Sequence, residues 1–400
     1  MKHSVHFGVV LGLVMSASTF AAPTTDEMWT IIQKQQAEIE QLKSEQKETD
    51  KKVEATADAV ESTGGGVPKS LEWATKTTLG GYTEHHYNNE QGGGDEVDAH
   101  RFVFFLGHKF SDKVRMFSEF ELEHSLAGEG KNGEVELEQA YIEWDYAKGH
   151  SLLTGLYLIP VGILNETHEP NTFYGVERNG VEKSIIPTTW WETGLMLRGE
   201  IAPGFSYDFA MHSGLSAVKQ RTEDEVVIDY ISIRSGRQKS SEAAANDFAY
   251  TGRLKYTAVP GLEVAATLQY QEDVSQAEDT NEASATLFEA HAIYEVGMFA
   301  VRALYAQWDV DGAVAAAEGT DEQNGWYIEP SIKPMDNLGL FIRFSEYNTA
   351  AGSATSEDNE FIDVGVNYWL TPEVVFKADY QDARNDGASD VFNLGVGWAF

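Results

Sequence analysis

The sequence predicts an all-β fold, a 16-stranded antiparallel transmembrane β-barrel, preceded by a short periplasmic α-helical coiled coil. Three observations support this prediction. In the last nine residues, Phe392 to Phe400, an apolar or aromatic side chain occupies every second position, as in a strand with one apolar face. The chain begins with the features of an export signal. From Thr75 onward, alternating segments of about ten residues are separated by turns and polar loops, as transmembrane barrels require.

The final strand ends on an aromatic residue, which is typical of the last strand of a bacterial outer-membrane barrel. The alternative is an edge strand of a soluble sandwich, but a bare hydrophobic edge invites aggregation. We therefore expect Phe392, Leu394, Val396, Trp398 and Phe400 to face lipid. The aromatic end, with Trp398 and Phe400, also resembles the C-terminal signal that the barrel-assembly machinery reads.

Residues 1–21 read as a secretory signal peptide. Lys2 precedes the uncharged stretch from Phe7 to Met15, and small residues follow it. Cleavage after Ala21 fits best, since Thr19 and Ala21 are small. The apolar core is too short to cross a bilayer as a helix, and no other stretch reaches about 18 apolar residues. Export to a membrane therefore points to a closed barrel, which satisfies every backbone group in lipid.

Composition narrows the function further. The formal net charge is −35, from 29 Lys and Arg against 64 Asp and Glu, so the basic footprint needed for nucleic-acid binding is missing. The chain has no cysteine, which excludes disulfides, thiolate metal sites and a cysteine nucleophile. We predict no cofactor and no metal.

Residues 24–62 form a predicted coiled-coil stalk. Positions from Met28 to Val60 recur at alternating steps of four and three, and charged residues fill the other faces, as in a heptad repeat. A lone amphipathic helix packed on the barrel is the alternative, because glutamine and threonine at seam positions weaken a zipper. Residues 63–72 are a glycine-rich linker, in which Gly64 to Pro68 break the helix.

Residues 73–400 form the predicted transmembrane barrel. Seven short turns connect its strands: Ser111-Asp112, Ala147-Lys148-Gly149, Ala202-Pro203-Gly204, Val259-Pro260-Gly261, Gly297, Met335-Asp336 and Thr371-Pro372. Seven hairpins plus a first and a last strand give sixteen, which leaves an aqueous lumen. The β-rich run from Val226 to Ile233 is ambiguous. We interpret it as part of an extracellular loop, since counting it alone would give an odd number.

The third long loop, residues 161–191, follows the fifth strand and is expected to fold inward and narrow the lumen. Its charged residues are the predicted pore constriction: Glu166, His168, Glu169, Glu177, Arg178, Glu182 and Lys183. We expect His168 to be a hydrogen-bonding loop residue, not a metal ligand.

Four segments of this region carry a family resemblance: Gly155 to Gly162, Asn165 to Pro170, Phe173 to Arg178 and Ile186 to Glu192. Through them the sequence resembles the phosphate-selective porin family of the O and P type, over residues 73–400. The resemblance implies a trimeric, sixteen-stranded diffusion channel.

The lumen departs from that family's pattern, in which ladders of arginine and lysine lead anions to a basic constriction. The predicted lumen wall is instead a mixed set: Arg115, Glu119, Arg198, Arg253, Lys255, Arg302 and Arg343. Further carboxylates share this face: Glu121, Glu123, Glu143, Glu200, Glu263 and Asp379. An acidic lumen attracts cations, so phosphate binding does not carry over.

We therefore predict a general diffusion porin for small hydrophilic solutes or ions, with a preference for cations. Its expected surroundings are outer-membrane lipid and lipopolysaccharide, two further copies in a homotrimer, and the barrel-assembly machinery. Two alternatives stay open: a structural anchor that tethers the membrane to the cell wall through the coiled coil, and an anion- or phosphate-selective channel. An enzyme is not expected, because the adjacent pairs His124-Ser125 and His212-Ser213 lack a third catalytic member.

Overall fold

The structure is a computed structural model that describes residues 72–223, 226–277, 282–385 and 388–400. The predicted signal peptide, coiled-coil stalk and nearly all of the linker lie outside the described residues. The first described element is a helical turn, α1 (Glu72–Thr75), directly before the first strand. None of the helices among the described residues is both long and apolar enough to span a membrane.

The barrel prediction is confirmed. Sixteen antiparallel strands, β1–β7 and β10–β18, form a closed barrel in which neighbours in the chain are neighbours in the sheet, apart from β8 and β9. The strands of the first half are β1 (Thr77–Glu90), β2 (Asp95–Lys109), β3 (Val114–Glu123), β4 (Val135–Ala147), β5 (His150–Leu158), β6 (Trp191–Ala202), β7 (Phe205–His212), β8 (Val218–Glu223) and β9 (Val226–Ile231). Those of the second half are β10 (Ala249–Tyr256), β11 (Leu262–Gln271), β12 (Ser284–Val296), β13 (Phe299–Asp311), β14 (Glu322–Met335), β15 (Leu338–Asn348), β16 (Asn359–Thr371), β17 (Val374–Ala383) and β18 (Val391–Ala399).

All seven predicted turns join hairpins of the barrel. Gly204 shows why glycine is needed in one of them. Its φ is +75°, and a Cβ on it would stand 2.6 Å from the backbone of Ala258 in the next hairpin. Short turns of such barrels face the periplasm and long loops face outward, so Gly204 marks the periplasmic rim.

The ambiguous run at 226–233 is a strand, but not a barrel strand. β9 pairs with β8 in a separate two-stranded hairpin within the long loop between β7 and β10. The barrel therefore keeps its even strand number, and the interpretation as part of a long loop is correct. A second short helix, α2 (Ala313–Glu318), lies in the loop between β13 and β14.

Alternation along the strands separates a lipid face from a lumen face. In the β10–β11 hairpin, Leu254 and Leu268 are 61% and 56% exposed, whereas Arg253 and Thr267 are buried. Phe392 and Leu394 of β18 point outward in the same way. The outward apolar side chains meet lipid, and the inward polar side chains meet the lumen and its loop.

The barrel closes between β1 and β18. Beyond β18, Phe400 donates its backbone N–H to the oxygen of Gly81 at 2.9 Å, and Gly81 returns a bond of 3.0 Å to the oxygen of Phe400. The Phe400 ring stacks on Phe102 with centroids 6.0 Å apart. Glycine suits this seam, since a Cβ at Gly81 would stand 2.1 Å from the oxygen of Val103.

The segment between β5 and β6 folds into the barrel. It carries a π-helical turn, Val181–Ile185, and buries Ile163, Phe173 and Trp190. Inward aromatic residues of the far wall, including Trp308 and Tyr327, belong to the same buried cluster. Apolar packing of this kind, at roughly 25 cal/mol per Å² buried, favours holding the loop inside the barrel.

Candidate functional site

The inward loop is anchored near its start by Glu182. This buried carboxylate accepts hydrogen bonds from the backbone N–H groups of Ile163 and Leu164, at 2.9 and 2.5 Å. The hydroxyl of Tyr327 on β14 donates a third bond at 2.6 Å. Burial raises the pKa of Glu182 although these bonds favour the charged form. Glu182 therefore connects two parts of the loop and attaches the loop to the barrel wall at Tyr327. It does not face the lumen.

Side chains of β15, β16 and β17 donate hydrogen bonds to backbone oxygens in the middle of the loop. Arg343 donates to the oxygen of Tyr174 at 2.7 Å, and Asn367 to the oxygen of Phe173 at 2.9 Å. Lys377 donates to the oxygen of Gly175 at 2.8 Å. The loop thus crosses the lumen from β5 to the opposite wall, with buried polar groups satisfied along the way.

Three of the predicted constriction residues line one cavity of about 300 Å³, which we call the mid-barrel cavity. They are Glu177, Arg178 and Lys183. Its other charged lining comprises Glu84, Arg101, Glu121, Glu123, Glu134, Glu136, Glu138, Arg234, Arg237 and Lys239. The carboxylates come mainly from β3, β4 and the loop that joins them. Most of the basic side chains come from the inward loop and the segment after β9.

Four basic side chains of the mid-barrel cavity form what we call the basic cluster: Arg178, Lys183, Arg234 and Arg237. Arg234 donates only to carbonyl oxygens, those of Lys183 and Thr188, and Arg237 donates to those of Arg234 and Thr189. Within the described part of the chain, no carboxylate lies within ion-pair distance of any of the four.

Burial, together with neighbouring Arg237 and Arg178, lowers the pKa of Arg234 to about 10. The pKa values of Arg178 and Arg237 are lowered by burial and by nearby guanidinium groups in the same way. All three remain cationic at neutral pH. Because they oppose the acidic β3–β4 wall, a field runs across the cavity.

Glu177 reaches back to the first strand. Its carboxylate lies 2.9 Å from Nδ1 of His86, and Asn88 donates to the same oxygen at 3.1 Å. Burial would raise the pKa of Glu177, but the bond to His86 and the nearby charges of His86, His100 and Lys183 together lower it. Glu177 is therefore a fixed anion on the lumen side of the loop.

Glu166 lies in a second cavity of about 490 Å³ toward the short turns, the periplasmic-side cavity. Arg253 bonds to both Glu166 and Asp208, and Arg198 lies 3.1 Å from Asp208 and 3.4 Å from Glu166. Burial would raise the pKa of Glu166, but Arg253 and Arg198 lower it. Lys255 also lines this cavity and lies 3.7 Å from Glu263.

The remaining residues of the predicted constriction lie outside these two cavities. Glu169 supplies its backbone oxygen to Thr172 and lines neither cavity. His168 is buried against Glu119 of β3 and Glu138 of β4. The structure therefore divides the predicted constriction set between the mid-barrel cavity, the periplasmic-side cavity and the wall.

The other predicted lumen-wall residues are also fixed by partners. Arg115, near the periplasmic rim, lies 2.6 Å from Glu143 and 2.7 Å from Asp145. Arg302 donates to the oxygen of Thr172 in the inward loop at 3.0 Å. Arg115 is therefore paired within the barrel wall and Arg302 holds the inward loop to the wall, whereas the side chains of the basic cluster have no carboxylate partner among the described residues.

A third cavity of about 440 Å³, the outer cavity, shares Glu177, Arg178 and Lys183 with the mid-barrel cavity. Six carboxylates line it, against two basic side chains, Arg178 and Lys183: Glu90, Glu96, Asp98, Glu177, Asp363 and Asp379. Since Glu90 and Glu96 stand at the outward ends of β1 and β2, this cavity lies toward the long loops. A cation entering from that side meets a negative field.

Sequence reasoning missed Arg234, Arg237 and Lys239. They follow β9 in a long polar segment for which the sequence predicts only an extracellular loop. The one available signal was three basic residues within six positions, in a chain of net charge −35. Such a run is ordinarily a solvated surface.

Comparisons with known proteins agree with the barrel. The family model described as Gram-negative porin matches residues 206–388. An uncharacterized protein of Aquifex aeolicus (strain VF5) is 26% identical over 363 residues, covering 81% of this chain and 80% of its own.

Two solved structures show the same fold at low identity. The anion-selective porin from Comamonas acidovorans is 11% identical, with a TM-score of 0.57 over 81% of this chain and 99% of its own. The trimer form of OmpT, an outer membrane protein of Vibrio cholerae, is 10% identical, with a TM-score of 0.55 over 81% and 99% of the two chains. The family model and the closed sixteen-stranded barrel together indicate a porin fold.

Proposed function

We propose that this protein is a porin of the outer membrane, a general diffusion channel with a weak preference for cations. The observation that carries the preference is the outer cavity, whose lining has six carboxylates and two basic side chains. A solute arriving from outside is selected first by this field. The mid-barrel cavity is more balanced, with seven carboxylates and six lysines or arginines, so it weakens the preference without reversing it.

The alternative is an anion-selective or phosphate-selective channel, in line with the resemblance to porins O and P. The basic cluster favours it, because Arg178, Lys183, Arg234 and Arg237 have no carboxylate partners among the described residues. Against it, each of the four shares the mid-barrel cavity with the carboxylates of β3 and β4. A binding site for an anion that sheds water requires positive partners without such competition.

The deciding experiment is the reversal potential of the purified protein in planar bilayers across a KCl gradient at low ionic strength, where surface charges are least screened. We expect stepwise conductance and a reversal potential whose sign shows K⁺ passing more readily than Cl⁻. Strong Cl⁻ preference would establish the anion-selective alternative. A purified protein that folds but yields no conductance would refute a channel of either kind.

Neutralising Glu166 and Glu169 together (E166Q/E169Q) tests the constriction predicted from sequence. Only Glu166 lies in a cavity, where Arg198 and Arg253 already balance it. Its removal leaves Asp208 as the one carboxylate that both arginines still contact among the described residues, so we expect lower cation preference. The single variant E169Q is the matched control and should leave the reversal potential unchanged. If E169Q alone reproduces the double variant, Glu169 and not Glu166 borders the ion path.

A channel and an anchor respond differently to loss of residues 24–62, the predicted stalk. A diffusion channel lacking this segment should keep its single-channel conductance, since the described barrel contains every cavity residue. A structural tether should lose envelope cohesion, measured as vesicle release and detergent sensitivity of cells. Unchanged conductance combined with lost cohesion would assign both roles to the one chain.

We further propose a homotrimer in the outer membrane, in contact with lipopolysaccharide and inserted by the barrel-assembly machinery. The trimer form of the Vibrio cholerae OmpT supports the first point by analogy of fold. The outward aromatic side chains of β18 and the terminal Phe400, 59% exposed, suit lipid contact and an assembly signal. Cross-linking in native membranes should yield a ladder that ends at three subunits.

A further inference from the structure

Three buried side chains from three separate elements converge beside the inward loop. They are Glu119 of β3, Glu138 of β4 and His168 of the loop, each at most 3% exposed. One ligand-type atom from each lies within 4.8 Å of the other two. We call this group the Glu-Glu-His triad.

The atoms that face one another in the triad have no hydrogen-bond partners among the described residues. They are Oε1 of Glu119, Oε2 of Glu138 and Nε2 of His168. Nε2 lies 3.6 Å from each carboxylate oxygen, which is too far for a hydrogen bond. Three unsatisfied buried polar atoms at one point are rare in folded proteins, and each carries a desolvation cost.

The surrounding bonds turn these atoms toward the common point. Nδ1 of His168 lies 3.1 Å from the carbonyl oxygen of Asn165. Since a carbonyl only accepts, Nδ1 carries the hydrogen, which leaves Nε2 of a neutral ring as a lone-pair donor toward the carboxylates. Gln139 donates to the second oxygen of Glu119 at 2.5 Å, and Arg101 donates to the backbone oxygen of His168 at 3.0 Å. Outer bonds of this kind orient the ligands in metal sites.

The spacing suits a metal ion. Two ligands about 2.0–2.1 Å from a tetrahedral Zn²⁺ stand about 3.4 Å apart, close to the 3.6 Å that separates Nε2 from each carboxylate oxygen. Two carboxylates and a neutral imidazole also match the charge of a divalent cation. Arg101 makes no ion pair with either carboxylate and is instead paired with Glu84 at 2.5 Å. Glu138 lines the mid-barrel cavity, which offers a route of entry.

We propose that Glu119, Glu138 and His168 bind one divalent transition-metal ion, with Zn²⁺ as the best fit, and that this ion ties the inward loop to the β3–β4 wall. Zn²⁺ binds imidazole nitrogen and carboxylate oxygen, and a site with three protein ligands leaves a fourth position open. The rival occupant of the same point is a proton, which would make His168 an imidazolium between two carboxylates. A metal-binding measurement distinguishes a metal ion from a proton as the occupant of the triad.

The experiment is a titration of the full-length protein, folded in detergent and stripped with EDTA, with Co²⁺. We expect visible absorption of the intensity typical of tetrahedral Co²⁺, saturating at one tight equivalent per chain and abolished by Zn²⁺. Variants H168Q and E138Q should lose this equivalent. Replacing Gln139 with leucine should keep it but lower the affinity by about 10- to 100-fold, as for other outer-sphere partners of metal ligands.

H124Q is the matched control, because His124 belongs to a separate histidine and aspartate group with Asp98 and His100 nearer the outer rim. It removes a lumen histidine without touching the triad, so the tight equivalent should persist. Each variant is first checked for a folded barrel by far-UV circular dichroism and heat-modifiable migration, and E119Q replaces any that fails. Absence of a tight equivalent in the parent protein, or its survival in H168Q, would overturn the proposal and leave the proton as occupant.

Discussion

Replacing Arg343 with methionine is expected to lower the free energy of unfolding by about 3–5 kcal/mol, the range for breaking a buried ion pair on one side. Arg343 is 3% exposed. It contacts Glu329 at 2.6 Å, Asp363 at 3.6 Å and the oxygen of Tyr174 at 2.7 Å. Without Arg343, the buried carboxylates of Glu329 and Asp363 lose the cation that they share, and the carbonyl oxygen of Tyr174 loses its hydrogen-bond donor. Urea unfolding of the folded barrel in detergent, followed by tryptophan fluorescence, measures the loss.

Two further variants show whether the loss comes from unpaired charge. R384M removes an exposed arginine that lies 3.3 Å from Asp382, and exposed pairs contribute about 0–1 kcal/mol. The triple variant R343M/E329Q/D363N removes the stranded charges and should recover much of the lost stability. If R343M lowers the free energy of unfolding no more than R384M does, the ion pair of Arg343 contributes no net stability and the inward loop does not depend on this pair.

Reversing the charge of Arg178 (R178E) is expected to increase cation preference roughly three- to tenfold. A unit charge 5 Å from a monovalent ion changes the energy of that ion by about 0.8 kcal/mol in water. The reversal changes the charge by two units, and salt screens part of the resulting effect. Arg178 faces both the mid-barrel and outer cavities. Since it has no carboxylate within ion-pair distance among the described residues, its removal strands no buried partner. The reversal potential in a KCl gradient gives the permeability ratio directly.

The control K148E changes the net charge of the chain by the same amount at an exposed periplasmic turn. It should leave selectivity almost unchanged at moderate salt, because exposed charges farther than a Debye length, about 8–10 Å, are screened. Equal shifts in R178E and K148E would mean that overall charge sets the selectivity. No shift in R178E would remove the basic cluster from the ion path.

Alternation predicted the strands closely wherever lipid lies on one side. Alternation over residues 284–296 predicts a strand, and β12 has the same bounds, because its outward side chains are apolar and Gly297 ends it. The first hairpin was less accurate. Here alternation predicts strands at about 75–87 and 99–110, but β1 reaches Glu90 and β2 begins at Asp95. Beyond the membrane both faces of a hairpin are wet, so period-two hydrophobicity disappears while backbone pairing continues.

The candidate site was predicted only in part, for a related reason. The place of the inward loop follows from its position after β5 and from the family resemblance. The direction of each loop side chain depends on packing against strands far along the chain, such as Tyr174 on Phe341, with ring centroids 5.2 Å apart. Glu182 and His168 are as charged or polar as Glu177, yet they are buried against Tyr327 and Glu119. No local pattern distinguishes them.

The residue pattern is enough to predict the barrel, its sixteen strands and the face that meets lipid, because these follow from a two-residue period and from turn residues that act locally. What fills the lumen depends on tertiary packing. It brought Arg234 and Arg237 from the segment after β9 to the cavity of Arg178, and it joined Glu119, Glu138 and His168 at one buried point. Both arrangements arise from contacts between elements far apart in the chain, whose geometry is set by closure of the barrel around the loop.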